Sequence, residues 1–163
     1  MQKYDLTLMV GPSGAGKTTW LANYGHTYDI HPSHIISSDQ LRQDLYEDFK
    51  FQGGNRVVFH VLHDLVKVRL QHNLPVVVDA TNVKAKSRKA LLNIAYSVSS
   101  QKKIRYLVID RPLEQKRETG GWRNELTHID LIGEHDRIFE ANSRNIITGD
   151  GYPNIDVIII CKK

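Results

Sequence analysis

Gly11-Pro12-Ser13-Gly14-Ala15-Gly16-Lys17-Thr18 is the stretch on which the reading of this chain turns. It sets Gly, Gly, Lys and a hydroxyl side chain in the register of a phosphate-binding loop, between the apolar run Leu6 to Val10 and a segment of helical character. Glycine lets the backbone curl so that successive amide N–H groups face inward, and the helix that follows turns its positive end to the same point. The pattern assigns Gly11, Ser13, Gly14, Ala15, Gly16, Lys17, Thr18 and Thr19 to a nucleoside triphosphate such as ATP. Lys17 is expected on the β- and γ-phosphates and the Thr18 hydroxyl on Mg²⁺. An ordinary glycine-rich turn would not need those residue types in register.

Outward from the loop, β-rich runs recur at Leu6 to Val10, His34 to Ser37, Pro75 to Asp79, Arg105 to Asp110 and Ile155 to Ile160. Several are nearly continuous Val, Ile and Leu, as in strands buried on both faces. Segments of helical character separate them, and that alternation predicts an α/β fold: a central parallel sheet of about five strands with helices on both faces. Asn55 precedes Val58, Leu62, Leu65, Val66 and Leu70, which recur along one helical stripe, so Asn55 is expected as N-cap and Asn73 as the stop. Ser87 to Ala95 reads as another helix, and Ile129 to Ile147 as a long one broken by, or starting after, Gly133.

The 163 residues suit one domain spanning 1–163, and 40% hydrophobic with 25% charged residues is ordinary globular composition. The longest apolar run, Val157 to Cys161, falls far short of the roughly 20 residues a membrane span requires. The first residues lack the apolar core and cleavage site of a secretion signal, so no membrane association and a cytoplasmic location are expected. Cys161 has no second cysteine to pair with and reads as a buried, inert thiol. A net charge of +4 makes the surface mildly attractive to phosphate-rich partners, although a mixed solvated surface explains it as well. His60 and His63 lack Cys or carboxylate partners at metal-ligand spacing and read as surface or packing histidines.

The residues beyond the second and third strands carry the chemistry. Ser37-Ser38-Asp39-Gln40-Leu41-Arg42 brings an aspartate to the sheet edge with an arginine three positions on, neighbours on one face if a helix starts there. A carboxylate beside a γ-phosphate can take the proton of an attacking hydroxyl, and an arginine can grip a phosphate in two-pronged fashion. The plainer reading makes Asp39 a helix cap and Arg42 a solvated cation. Val76-Val77-Val78-Asp79-Ala80-Thr81-Asn82 has Ala80 where a hydrolytic motor carries a second acid, and no guanine-recognition motif follows. Both features favour transfer to a bound acceptor over hydrolysis.

With these elements in this order, the sequence resembles the 5′-hydroxyl polynucleotide kinases of phages and the kinase module of bacterial RNA end-healing enzymes. The similarity covers most of residues 6 to 147. It is clearest from 9 to 95, where Ile36-Ser37-Ser38-Asp39, Val77-Val78-Asp79-Ala80-Thr81-Asn82 and Ser87-Arg88 fall at matching intervals. The resemblance implies a three-layer P-loop kinase fold with a lid near 111–128, moving the γ-phosphate of ATP or another nucleoside triphosphate onto the 5′-OH end of DNA or RNA. It implies a catalytic set of Lys17, Asp39, Arg42 and Arg123, with Asp39 as general base and, beside Thr18, as a Mg²⁺ ligand. Arg42 would contact the acceptor's 3′-phosphate, and Asp79, Thr81 and Asn82 would shape the acceptor end. Asp79 could equally hold the loop or a Mg²⁺-bound water.

Family members place arginines after the fourth strand, where this chain has Arg111, Arg117 and Arg123; the Gly120-Gly121-Trp122 insertion departs from their spacing. By the resemblance Arg123 is expected as the arginine finger and Arg117 as packing on the donor base, with the two roles exchangeable. Trp122 is expected either to stack on a base or to anchor the lid. Adenylyl-sulfate kinases, zeta-type toxins and some antibiotic phosphotransferases also carry Asp-x-x-Arg after the second strand. A small hydroxyl compound or a modified base is therefore an alternative acceptor, and a nucleotide-binding regulatory module is the alternative outside catalysis. Asp-Ala-Thr-Asn favours the polynucleotide reading, and Asp39 argues against the regulatory one.

Overall fold

Strand residues alternate between the two faces of a sheet, and here both sets are apolar, so the sheet is covered twice. The structure, a computed structural model, describes residues 3–161, with side chains to 160. The reading of Cys161 as a buried thiol lies outside the described side chains. The order is β1 (Leu6–Val10), α1 (Lys17–Tyr24), β2 (Ile35–Ser37), α2 (Ser38–Tyr46), α3 (Asn55–Gln71), β3 (Val76–Asp79), α4 (Ala85–Val98), β4 (Ile104–Asp110), α5 (Leu113–Gly120), α6 (Trp122–Thr127), α7 (Leu131–Ile147) and β5 (Ile155–Cys161). Among the described residues no helix is long and apolar enough to cross a membrane.

All strand pairs are parallel and the spatial order is β2-β3-β1-β4-β5. Leu6, Leu8 and Val10 pack on one side against α3 (Val58, Leu62, Val66) and α4 (Leu91, Leu92), and α7 adds Phe139 and Ile146. On the other side Met9, Val77, Leu107 and Ile109 meet Trp20 and Leu21 of α1 together with Ile30. The result is the expected three-layer α/β architecture. The chain leaves β1, builds β2 and β3 on one side, then crosses to β4 on the other. β1 is therefore the switch point at which ligands enter open sheets, beyond the carboxyl ends of the strands.

Two helix boundaries differ from expectation. Asn55 is the first residue of α3 rather than its cap, which is Gly54. Its side chain is committed elsewhere, accepting a hydrogen bond from Arg42 Nη2 at 2.6 Å. α7 runs unbroken through Gly133, because Asp130 caps it and accepts from the Gly133 N–H at 3.0 Å.

Arg88 of α4 is fully buried. Its Nε and Nη2 donate to both oxygens of Asp150 at 2.7 and 2.8 Å, and its Nη1 donates to the carbonyls of Asn82 and Val83 at 3.0 and 2.7 Å. The Tyr106 hydroxyl also donates to Asp150, at 2.8 Å. This network ties the loop after β3 to the turn before β5. Arg88→Leu leaves a buried carboxylate without its cation and is expected to lower stability by about 3–5 kcal/mol in urea denaturation.

Candidate functional site

The loop between β1 and α1 is fixed from both sides. Gly11 donates its N–H to the Thr81 carbonyl at 2.9 Å, and a Cβ there would lie 2.0 Å from the Ile109 carbonyl oxygen. Gly14, at φ +78°, lies under α5, where a Cβ would meet the Lys116 carbonyl oxygen at 2.4 Å. The segment 111–128 therefore rests directly on the loop. Lys116 holds it there, buried and donating to Asp110 at 2.7 Å and to Asp136.

Lys17 opens α1 and is buried, its Nζ donating to the carbonyls of Gly11 and Pro12 at 2.9 Å each. Burial outweighs the attraction of Asp79, Asp39 and Asp110 and pulls its pKa down to about 8. Beside it, the Thr18 hydroxyl donates to Asp79 Oδ2 at 2.7 Å. Asp79, at the end of β3, is buried; burial raises its pKa while Lys17 and Thr18 hold it back.

Asp39 stands in the first turn of α2, after Ser37, whose side chain caps the helix by accepting from the Gln40 N–H. Its two oxygens accept from different elements, one from Arg42 Nη1 at 2.9 Å and one from Arg123 Nη2 of α6 at 3.2 Å. Arg42 is 5% exposed, and among the described residues its Nε has no hydrogen-bond partner. Burial lowers the pKa of Arg123, whose guanidinium lies 4.1 Å from the centre of the Trp122 ring.

These groups line one cavity of about 640 Å³: Lys17, Thr18, Asp39, Arg42, Asp79 and Arg123, joined by Ser13, Gly14, Gly16, Thr19 and Thr81. Gly11 and Ala15 shape the loop from behind it. Asn82 does not reach the cavity. It is buried, and its side-chain N–H donates to the Met9 carbonyl at 2.8 Å, so it braces β3 against β1 instead of meeting a ligand. Arg117 also lies outside: it is exposed and pairs with Asp130 at 2.7 Å. The cavity receives Arg111 instead, whose Nε donates to the Gly14 carbonyl at 2.6 Å and which also bonds Thr119. Asp39, expected beside Thr18 as a metal ligand, is occupied by two guanidinium groups, and Asp79 takes the place next to Thr18.

His135 of α7 had no signal in the sequence, yet its Nδ1 lies 2.8 Å from Ser13 Oγ at the cavity wall. Burial, then Lys17, Lys84 and Arg123, push its pKa down to about 4, so the imidazole is neutral at neutral pH. Lys84 and Ser87 line the same wall.

No group of three or more His, Cys, Asp or Glu suited to a metal ion occurs among the described residues. Mg²⁺ needs none, since it usually takes one or two protein oxygens and completes its shell with phosphates and water. The Thr18 hydroxyl and Asp79 carboxylate are hard oxygen donors side by side at the loop, and fit that requirement.

A sequence model described as an AAA domain matches residues 6–125. The chain belongs to that family. No curated protein matches it. Among solved structures, a chain of the Pnkp1/Rnl/Hen1 RNA repair complex is similar at TM-score 0.65 and 21% identity, over 89% of this chain and 47% of that one. This chain thus spans just under half the length of that relative. Shikimate kinase from Acinetobacter baumannii, solved with shikimate, is similar at TM-score 0.55 and 15% identity, over 99% and 87% of the two chains. The PezAT toxin-antitoxin system of Streptococcus pneumoniae gives TM-score 0.62 and 16% identity, over 98% and 69%. The family member described here thus has the P-loop kinase fold, which implies a nucleotide substrate and typically Mg²⁺.

A triphosphate would bind the charged form of Lys17, so its affinity should hold below the lysine's pKa of about 8 and weaken above it by about tenfold per pH unit. Titration calorimetry with a non-hydrolysable ATP analogue from pH 7 to 10 measures this, and Lys17→Met should flatten the profile.

Proposed function

We propose that this chain is a polynucleotide 5′-hydroxyl kinase, moving the γ-phosphoryl group of ATP or another nucleoside triphosphate onto the 5′-OH end of DNA or RNA. The observation that carries the reading is Asp39. It faces the cavity that holds Lys17, with one arginine from α2 and one from α6 on its two oxygens. A regulatory nucleotide-binding module has no use for a carboxylate held between two phosphate-binding cations.

In this mechanism Lys17 and the loop amides hold the β- and γ-phosphates. Asp39 accepts the proton of the 5′-hydroxyl as that oxygen bonds to the γ-phosphorus. The bond from the γ-phosphorus to the bridging oxygen breaks, and ADP leaves with the electron pair. Arg123 neutralises charge on the group in flight, as an arginine finger does. Arg42, buried and with Nε unpartnered among the described residues, meets the acceptor's 3′-phosphate. Thr81 lines the acceptor end, and Thr18 with Asp79 would hold Mg²⁺, which supplies charge neutralisation between the phosphates. The likeness to a chain of an RNA repair complex supports the choice of acceptor.

A second reading keeps the chemistry and changes the acceptor to a small hydroxyl compound. It draws on the likeness to shikimate kinase, which extends over 87% of that chain.

Label transfer from γ-labelled ATP distinguishes the two. A 5′-OH oligonucleotide should accept label, and Asp39→Asn should slow transfer by about 10²- to 10⁴-fold while ATP binding persists. Arg123→Ala should lower kcat by about 10³-fold or more. Absence of label on every DNA and RNA 5′ end, with label on a small alcohol, sinks the polynucleotide reading.

A further inference from the structure

A second cleft opens on the far side of Asp39. It encloses about 830 Å³ and shares Thr18, Asp39, Asp79 and Arg123 with the first cavity, but Ser13, Gly14, Gly16 and Lys17 of the phosphate loop line only the first. The triphosphate therefore belongs to the first cavity, where Arg42 and Thr81 also lie, and the second cleft opens beside the carboxylate that would receive the acceptor's hydroxyl. Its volume falls in the range of ligand pockets, about 300–1,000 Å³.

The lining is mixed: Ser37, Gln40 and Gln43 stand beside Asp39, with His26 also polar, and the remainder is aliphatic or aromatic. Leu21 and Ala22 of α1, with Ile30, Pro32 and Ile35, form an apolar wall, and a nucleobase, apolar on its faces and polar at its edges, suits such a lining. Phe49 and Trp122 close the opposite side, their rings 5.7 Å apart and edge-on. Lys50 places its ammonium 5.3 Å from the centre of the Trp122 ring. Aromatic rings with cations beside them are a combination by which proteins hold single-stranded nucleic acid, rings against rings and backbone phosphates against lysine and arginine.

We propose that this cleft is a subsite for a nucleobase of the acceptor strand, seated against Phe49 and Trp122 with Lys50 beside the strand's backbone. The inference rests on the polynucleotide kinase reading and adds to it that the enzyme holds its acceptor by a base as well as by phosphates. It also accounts for the Gly120-Gly121-Trp122 segment, since Trp122 begins α6 next to Arg123 and the base platform and the guanidinium at Asp39 therefore travel on one element.

The test compares a 5′-OH oligonucleotide with the same strand carrying abasic sugars at its first positions, in steady-state label transfer. The abasic strand should show a KM for the oligonucleotide about ten- to a hundred-fold higher, with kcat nearly kept and KM for ATP unchanged. Trp122→Ala and Phe49→Ala should raise KM for the base-bearing strand similarly and add little on the abasic one, while Trp122→Phe restores most of it. Phe49 lies outside the lid, so its variant reports even where Trp122→Ala disturbs α6. Equal KM values for the two strands, or equal losses on both in the variants, overturn the subsite and leave the kinase reading standing. No transfer by the native enzyme to either strand overturns both.

Discussion

The Lys17 ammonium is taken out of water at the point where β1, β3 and β4 end, and the surrounding groups are arranged to tolerate that charge. Two loop carbonyls solvate it, and the carboxylates of Asp79 and Asp110 at the ends of β3 and β4, with Asp39 in the first turn of α2, act on it from three sides. They do not fully compensate. Burial still dominates, so the amine holds its proton less firmly than in water, and a triphosphate anion would offset that cost. The strand order makes the arrangement possible, because only a central β1 flanked by β3 and β4 brings those acids around one loop.

Asp39 is the second organising group. Its two oxygens are held by residues 3 and 84 positions away, so its placement depends on the helix that carries it and on the docking of α6. That docking follows from Lys116, pinned between Asp110 and Asp136, and from Gly14, which lets the α5 backbone approach closely. A substitution at Lys116 would act on chemistry it never touches, through the position of Arg123. The two cavities that meet at Asp39 differ in kind: the phosphate loop lines one, while the other sets aliphatic and aromatic side chains beside its polar groups. A carboxylate at that boundary is where a polar donor and an amphipathic acceptor would come together.

Much of the fold was legible because the periodicities were clean. Each expected strand lies within about a residue of an observed one, and the long stripe from Val58 to Leu70 is α3. Asn55 misled because Asn at a helix start reads as a cap, whereas its side chain was already taken by Arg42. Gly133 misled because glycine usually interrupts a helix, whereas here Asp130 caps the helix by accepting from its N–H. Asn82 and Arg88 illustrate a different limit. Polar residues next to a functional motif look like ligand contacts, yet both are buried and satisfied by carbonyls and Asp150. Arg117 and Arg111 differ by six residues on one segment, and spacing alone could not tell which faces inward.

The sequence by itself determined the phosphate loop, the parallel strands and the pairing of Asp39 with Arg42, because each depends on local pattern: a turn between strand and helix, a short continuous apolar run, three residues along a helix. The tertiary structure alone decided that Asp79 meets Thr18, that Arg123 reaches Asp39, that His135 meets Ser13 and that a second cleft adjoins the first. Those groups are 61 to 122 residues apart in the chain. Which of them meet is set by strand order and by helix docking, and no local pattern of residue types encodes either.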